Sequence, residues 1–115
     1  MTAILCKSDA LGKELARLSG SETPCLCGMD QIASSGEWLR NCLDKKKIST
    51  VFYEASFFVD PAPFRELSPD TKFVLVFSQD EQSKARQALA CGACAVLAKP
   101  FTEQDVCGVL SLVSN

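Results

Sequence analysis

The sequence predicts an α/β domain in which a parallel β-sheet carries helices on both faces. Two observations lead to that reading. Short apolar runs alternate with helical stretches along the whole chain, giving five strand–helix units. The middle run, Ile48 to Tyr53, is rich in β-branched and aromatic residues and lacks polar alternation, as in a strand covered on both sides. Parallel strands joined through helices require crossovers, and these are right-handed.

The elements follow in order. Ala3 to Cys6 is the first apolar run, after which come Ser8-Asp9 and then Leu11, Leu15 and Leu18 at helical spacing. Thr23 to Met29 is the second run, and Trp38, Leu39, Cys42 and Leu43 line one face of the second helix. Beyond the central strand, Asp60-Pro61 reads as an N-cap with proline at the first helical position, and Ser68-Pro69 closes a short third helix. Lys72 to Phe77 is the fourth strand. Ala85, Ala88 and Leu89 form the inward stripe of the fourth helix, which Gly92 can end in the left-handed conformation. Ala95 to Ala98 is the fifth strand. Thr102 and Asp105 have the spacing of a capping box, and Val106, Val109, Leu110 and Val113 give the last helix its core face.

Length and composition fit one domain spanning residues 1–115, because a chain of 115 residues can bury roughly two-thirds of its unfolded surface in a single core. The apolar share of 47% and charged share of 23% are those of an ordinary globular protein. A net charge of -2 and a pI near 5.1 provide no basic field, so nucleic acid is not expected as a direct partner. The run Lys45-Lys46-Lys47 reads as the solvated end of a helix, where cations oppose the macrodipole. No segment has the length and apolarity of a signal peptide or a membrane span, which places the expected compartment in the cytoplasm.

In an open parallel sheet, ligands bind beyond the carboxyl ends of the strands. The residues just after the apolar runs are Ser8, Asp9, Glu54, Ser78 and Lys99. Two carboxylates, hydroxyls and an amine gathered there suit an anion or metal site. Each also has a plain structural use. Asp9 can cap the first helix, Ser78 with Glu81 can form a capping box, and Lys99 before Pro100 can sit in a surface turn.

The segment from Ala88 to Phe101, reading Ala-Leu-Ala-Cys-Gly-Ala-Cys-Ala-Val-Leu-Ala-Lys-Pro-Phe, resembles the signature of response-regulator receiver domains. Ile4 to Asp9 is similar to that family's first strand and acidic loop, and Phe77-Ser78 to its fourth strand and hydroxyl residue. The resemblance implies a flavodoxin-like, doubly wound five-stranded sheet of order 2-1-3-4-5. It also implies a site in which an aspartate after strand three accepts a phosphoryl group, acidic neighbours hold magnesium, and lysine and a hydroxyl bind phosphoryl oxygens. By position, Lys99 and Ser78 match the phosphate-binding pair and Asp9 one of the acids. Ser8 replaces the other acid and Glu54 stands at the phosphoacceptor position. Glutamate displaces the attacking oxygen by roughly an ångström, enough to cost orders of magnitude in rate. Val96 replaces the family's switch aromatic.

These departures lead to an expectation of a pseudo-receiver, a non-enzymatic signalling module that works by protein–protein contact and can be the regulatory part of a longer transcription regulator. No cofactor is expected, with Asp9 the residue for any residual magnesium. One rival is a working, magnesium-dependent phospho-receiver of a phosphorelay; another is a small-ligand-binding flavodoxin-like domain, against which stands the lack of a glycine-rich loop after the first strand. The partner surface implied is the face of the fourth helix, fifth strand and fifth helix, used by another protein or by a second copy. There Lys84, Gln87 and Cys91 share one outward stripe, and Gly108, Ser111 and Leu112 another.

The seven cysteines, in a chain without histidine, read mainly as small buried apolar side chains. Cys91 falls at a helix C-terminus, where the dipole disfavours thiolate, so Cys91-Gly-Ala-Cys94 is not expected to act as a thioredoxin-like catalyst. In the implied strand order Cys25 and Cys27 lie roughly 19 Å from it, too far for a shared zinc.

Overall fold

The computed structural model describes residues 2–20, 25–27 and 34–113, with the backbone alone for Cys25 and Cys27. Its strands are β1 (Thr2–Leu5), β2 (Cys25–Cys27), β3 (Thr50–Glu54), β4 (Lys72–Phe77) and β5 (Ala95–Ala98). Its helices are α1 (Asp9–Leu18), α2 (Ser35–Lys45), α3 (Ala62–Leu67), α4 (Gln82–Ala90) and α5 (Glu103–Val113), with a 3-10 turn at Gln79–Glu81 leading into α4. The strands pair in the order β2-β1-β3-β4-β5, every pair parallel. The outer residues of the second apolar run, 23–24 and 28–29, lie outside the described residues.

Alternation along the strands builds two cores. Ala3, Leu5, Val51, Tyr53, Phe73, Leu75 and Phe77 point to the face covered by Leu39 and Leu43 of α2, Phe64 of α3, and Ala85 and Ala88 of α4. Ile4, Phe52, Val74, Val76, Ala95 and Leu97 point the other way, against Leu15 and Ala16 of α1 and Val106, Val109 and Val113 of α5. Burial on both sides explains why the β3 run carries no polar alternation. Full burial of side chains the size of Phe52 or Leu75 stabilises by about 1.5–3 kcal/mol each, and this layer arrangement is what fixes the strand ends.

The start and stop signals act locally. Thr102 and Asp105 bond reciprocally, Thr102 N–H to the Asp105 carboxylate at 2.9 Å and Asp105 N–H to the Thr102 hydroxyl at 3.2 Å. Asp60 accepts from the Ala62 amide at 2.9 Å, but the N-cap of α3 is Pro61 and not Asp60, so the helix begins at Ala62, one residue later than the sequence suggests. Gly92 takes φ 113° and closes α4, with Gly92 N–H bonded to the Leu89 carbonyl at 3.3 Å and Ala93 N–H to that of Ala88 at 2.9 Å. Lys45, Lys46 and Lys47 are all exposed.

Leu89 and the cap of α1 also depart from the sequence reading. Leu89 does not join the inward stripe of α4: it is 46% exposed, and the inner face is made by Ala85 and Ala88 alone. Small alanines bring the helix close to the sheet, which leaves no depth for a leucine at the stripe's margin. The cap of α1 is Ser8, whose hydroxyl accepts from the Leu11 amide at 3.3 Å, and Asp9 is the first helical residue. Ser8 has the extended backbone (φ -99°, ψ 124°) that an N-cap needs.

Candidate functional site

Glu54 is the last residue of the central strand and lies beside Val76 of β4. Its side chain is buried, yet both carboxylate oxygens are bonded. Oε1 accepts from the Lys7 amide at 2.6 Å, and Oε2 accepts from the Lys99 ammonium at 2.6 Å. Lys99 follows the end of β5, where its amide bonds the Phe77 carbonyl at 2.8 Å, and its side chain passes across the end of β4. Burying a carboxylate without partners is costly; charge-assisted bonds from one cation and one amide remove most of that cost. Lys99 itself keeps 28% of its side chain exposed, so its remaining donors can reach solvent.

The β1 side of the site adds two groups that the sequence does not single out. Leu5 pairs with Tyr53, which puts Cys6 level with Glu54. The Cys6 thiol is buried and its pKa is pushed up to about 12, chiefly by burial and then by the negative charge of Glu54, with Lys99 pulling the other way. Among the described contacts of Glu54, none comes from Ser8 or Asp9, which cap and start α1. Nothing in residue type marks the Lys7 amide as a ligand of Glu54. Counting the β1–β3 register one step past Leu5 and Tyr53 is the signal that finds Cys6 and Lys7.

Ser78 adopts the cap geometry its sequence allows. Its hydroxyl accepts from the Glu81 amide while its own amide donates to the Glu81 carboxylate at 2.9 Å. That backbone bond, with help from Lys84, holds the Glu81 carboxyl below its usual range. Ser78 and Lys99 also border an open cleft of about 520 Å³ floored by Leu11, Pro100 and Phe101.

On the other side, the loop after Glu54 is held firmly. Phe57 N–H bonds the Glu54 carbonyl at 3.0 Å, and the Tyr53 hydroxyl donates to the Val59 carbonyl at 3.0 Å. Phe58 stacks on Tyr53 with centroids 4.2 Å apart, and Phe64 and Phe73 complete an aromatic group. Burial raises the Tyr53 phenol above its ordinary range.

The donor set fits a hard divalent cation poorly. Magnesium needs carboxylate oxygens in near-octahedral geometry. Here Glu54 is already engaged twice, Cys6 offers a neutral thiol, and the described residues contain no cluster of three or more His, Cys, Asp or Glu side chains suited to a metal.

No protein-family model matches the chain, and no curated protein matches it significantly. Solved structures do. A response regulator from Thermotoga maritima superposes with a TM-score of 0.72 over 99% of this chain and 98% of its own, at 18% identity. A response regulator protein from Burkholderia pseudomallei, solved with a phosphorylated aspartic acid and a calcium ion, gives 0.70 over 98% of this chain and 68% of its own, at 20% identity. NtrX from Brucella abortus, solved with ADP, gives 0.74 at 13% identity over 97% of this chain. The chain spans 25% of that protein's length.

The chain has the receiver-domain fold. At these identities the likeness is one of architecture, and the chemistry rests on the side chains described above. Among the described residues no helix is long and apolar enough to cross a membrane.

Proposed function

We propose that the chain is a pseudo-receiver: a signalling module with the receiver fold, lacking phosphoryl-acceptor chemistry and acting through protein–protein contact. The observation that carries this reading is the doubly bonded Glu54 carboxylate, held by the Lys7 amide and the Lys99 ammonium at 2.6 Å each. An attacking oxygen must be free to approach phosphorus in line. Both oxygens of Glu54 are instead spent on the protein itself. The lysine that would bind phosphoryl oxygens in a receiver is here bonded to the residue at the acceptor position, so Glu54 occupies part of the space a phosphoryl group would take and supplies the same charge sign.

The contact surface in this reading is the face of α4, β5 and α5. Leu112 is 67% exposed there, Leu89 adds a second exposed leucine, and a groove of about 440 Å³ runs between β5 and α5 past Val96, Pro100, Gln104 and Gly108. Either another protein or a second copy would use it. Output regions elsewhere in a longer chain, of the kind that would make up the rest of a protein such as NtrX, fit the same reading.

Incubation with acetyl phosphate and magnesium followed by intact mass measurement tests the proposal. No phosphoryl adduct is expected. A near-stoichiometric adduct that disappears in Glu54→Gln would overturn it in favour of a working phospho-receiver.

A further inference from the structure

The amino end of the sheet, opposite Glu54, carries a recessed basic surface. Two open clefts of about 640 and 500 Å³ adjoin there, with Ser49 and Asp70 in the walls of both. Lys72 lines the larger cleft, and Lys45, Lys46 and Lys47 line the smaller. Tertiary bonds fix the ground between them: the Lys72 amide donates to the Ser49 carbonyl at 2.9 Å, and the buried Thr71 hydroxyl donates to the Ile48 carbonyl at 2.7 Å. Two segments distant in sequence thus bring four lysines to one place.

The ending of α2 accounts for only part of this charge. A helix C-terminus is equivalent to roughly half a negative charge, which one lysine in the last turn offsets, and α2 stops at Lys45. Lys46 is the C-cap with extended backbone (φ -130°, ψ 151°), Lys47 lies beyond it, and Lys72 opens β4. Among the described residues Lys45, Lys47 and Lys72 make no ion pair, although Asp44 and Asp70 share the walls. Four lysines against two aspartates leave an excess of two positive charges, in a chain whose net charge is -2.

We propose that this recess is a docking site for an acidic segment of a partner protein. Carboxylates spaced along a peptide can meet lysines spread over two segments, which a single small anion cannot, and such charge complementarity sets specificity and speeds encounter. Other polyanions fit less well. Among the described residues neither cleft is lined by an aromatic side chain on which a base could stack, and the negative net charge repels a long phosphate backbone. A bilayer is a broad surface that does not enter a recess, and Leu43, Ile48 and Val113 in its walls are buried rather than offered for insertion. The inference rests neither on the chemistry of Glu54 nor on the face of α4, β5 and α5.

The test is fluorescence anisotropy of a labelled peptide of alternating glutamate and glycine, titrated with the folded protein at low and at physiological salt. Saturable binding that weakens as salt rises is expected. Lys45→Glu/Lys47→Glu, at two exposed positions, should weaken it about tenfold, and Lys45→Gln/Lys47→Gln and Lys72→Gln by smaller factors in the same direction. Lys13→Glu/Arg86→Glu changes the net charge equally at exposed positions elsewhere and should bind like the parent. Equal weakening by that pair would reduce the effect to net charge and overturn the proposal, as would absence of saturable binding to the parent. Displacement of the peptide by an equal concentration of inorganic phosphate would overturn it too, as would tighter binding of an oligothymidylate or of phosphatidylserine vesicles that the lysine variants lose. Self-association of the parent that Lys45→Glu/Lys47→Glu abolishes would assign the recess to a second copy instead.

Discussion

Glu54 and Lys99 meet at 2.6 Å although their strands do not touch. β4 lies between β3 and β5, and the lysine side chain spans its end to reach the carboxylate. The pair therefore ties together three strands at one end of the sheet, and its two members are unequal: Glu54 is buried while Lys99 borders solvent.

That inequality predicts an asymmetric cost. Lys99→Met strands a buried carboxylate and is expected to destabilise by about 2–3 kcal/mol, below the range of about 3–5 for a fully buried pair because Lys99 is partly solvated. Glu54→Gln leaves a lysine free to turn outward and should cost less. Urea unfolding of both singles and the double variant checks this. Equal single costs would remove the asymmetry, and strict additivity in the cycle would show that the contact contributes nothing specific.

Cys6 makes the protein alkali-sensitive. Its thiol is neutral in the folded state up to about 12, whereas in the unfolded chain it ionises near 9. Above 9 the unfolded state holds fewer protons than the folded one, so the contribution is intact below that pH and is lost as pH rises towards 12. Stability measured across this window should fall less steeply in Cys6→Ala than in the parent. Tyr53 titrates in the same direction and supplies a residual slope in both.

Ser78 is expected to matter for folding even without any bound anion. Removing its hydroxyl in Ser78→Ala breaks one arm of the capping box and should cost about 1 kcal/mol. A melting temperature identical to the parent's would show that the cap contributes nothing to stability.

On the proposed contact face, Gly108 offers a clean probe, since a side chain there would meet nothing within 4 Å. Gly108→Arg and Leu112→Glu should both fold normally, while weakening self-association or partner capture at least tenfold. Unchanged sedimentation and binding in both variants would move the interaction surface elsewhere.

The sequence made some of this legible and hid the rest for physical reasons. The ends of β4 and β5 coincide with the apolar runs Lys72 to Phe77 and Ala95 to Ala98, because turn-forming residues bracket them tightly. β3 is displaced from Ile48–Tyr53 to Thr50–Glu54: Ile48 is buried, but its carbonyl is used by the Thr71 hydroxyl at 2.7 Å ahead of the strand. Apolar content reports burial and not ladder position. The same limit explains the β1 side of the site. Ser8 and Asp9 look like the functional pair because side chains carry the visible chemistry, whereas the contacts to Glu54 come from a main-chain amide and from a lysine 45 residues away. Leu89 went astray because a helical stripe with two alanines has no sharp edge.

Main-chain recognition of Glu54 has an evolutionary corollary. The Lys7 amide would be presented equally by almost any residue at that position, so the bond tolerates sequence drift that would erase a side-chain contact. Proline is the exception, since it has no amide hydrogen to give. A lineage could vary position 7 widely and still keep its carboxylate clasped, and alignments of such chains would show no constraint at the residue that supplies the clasp.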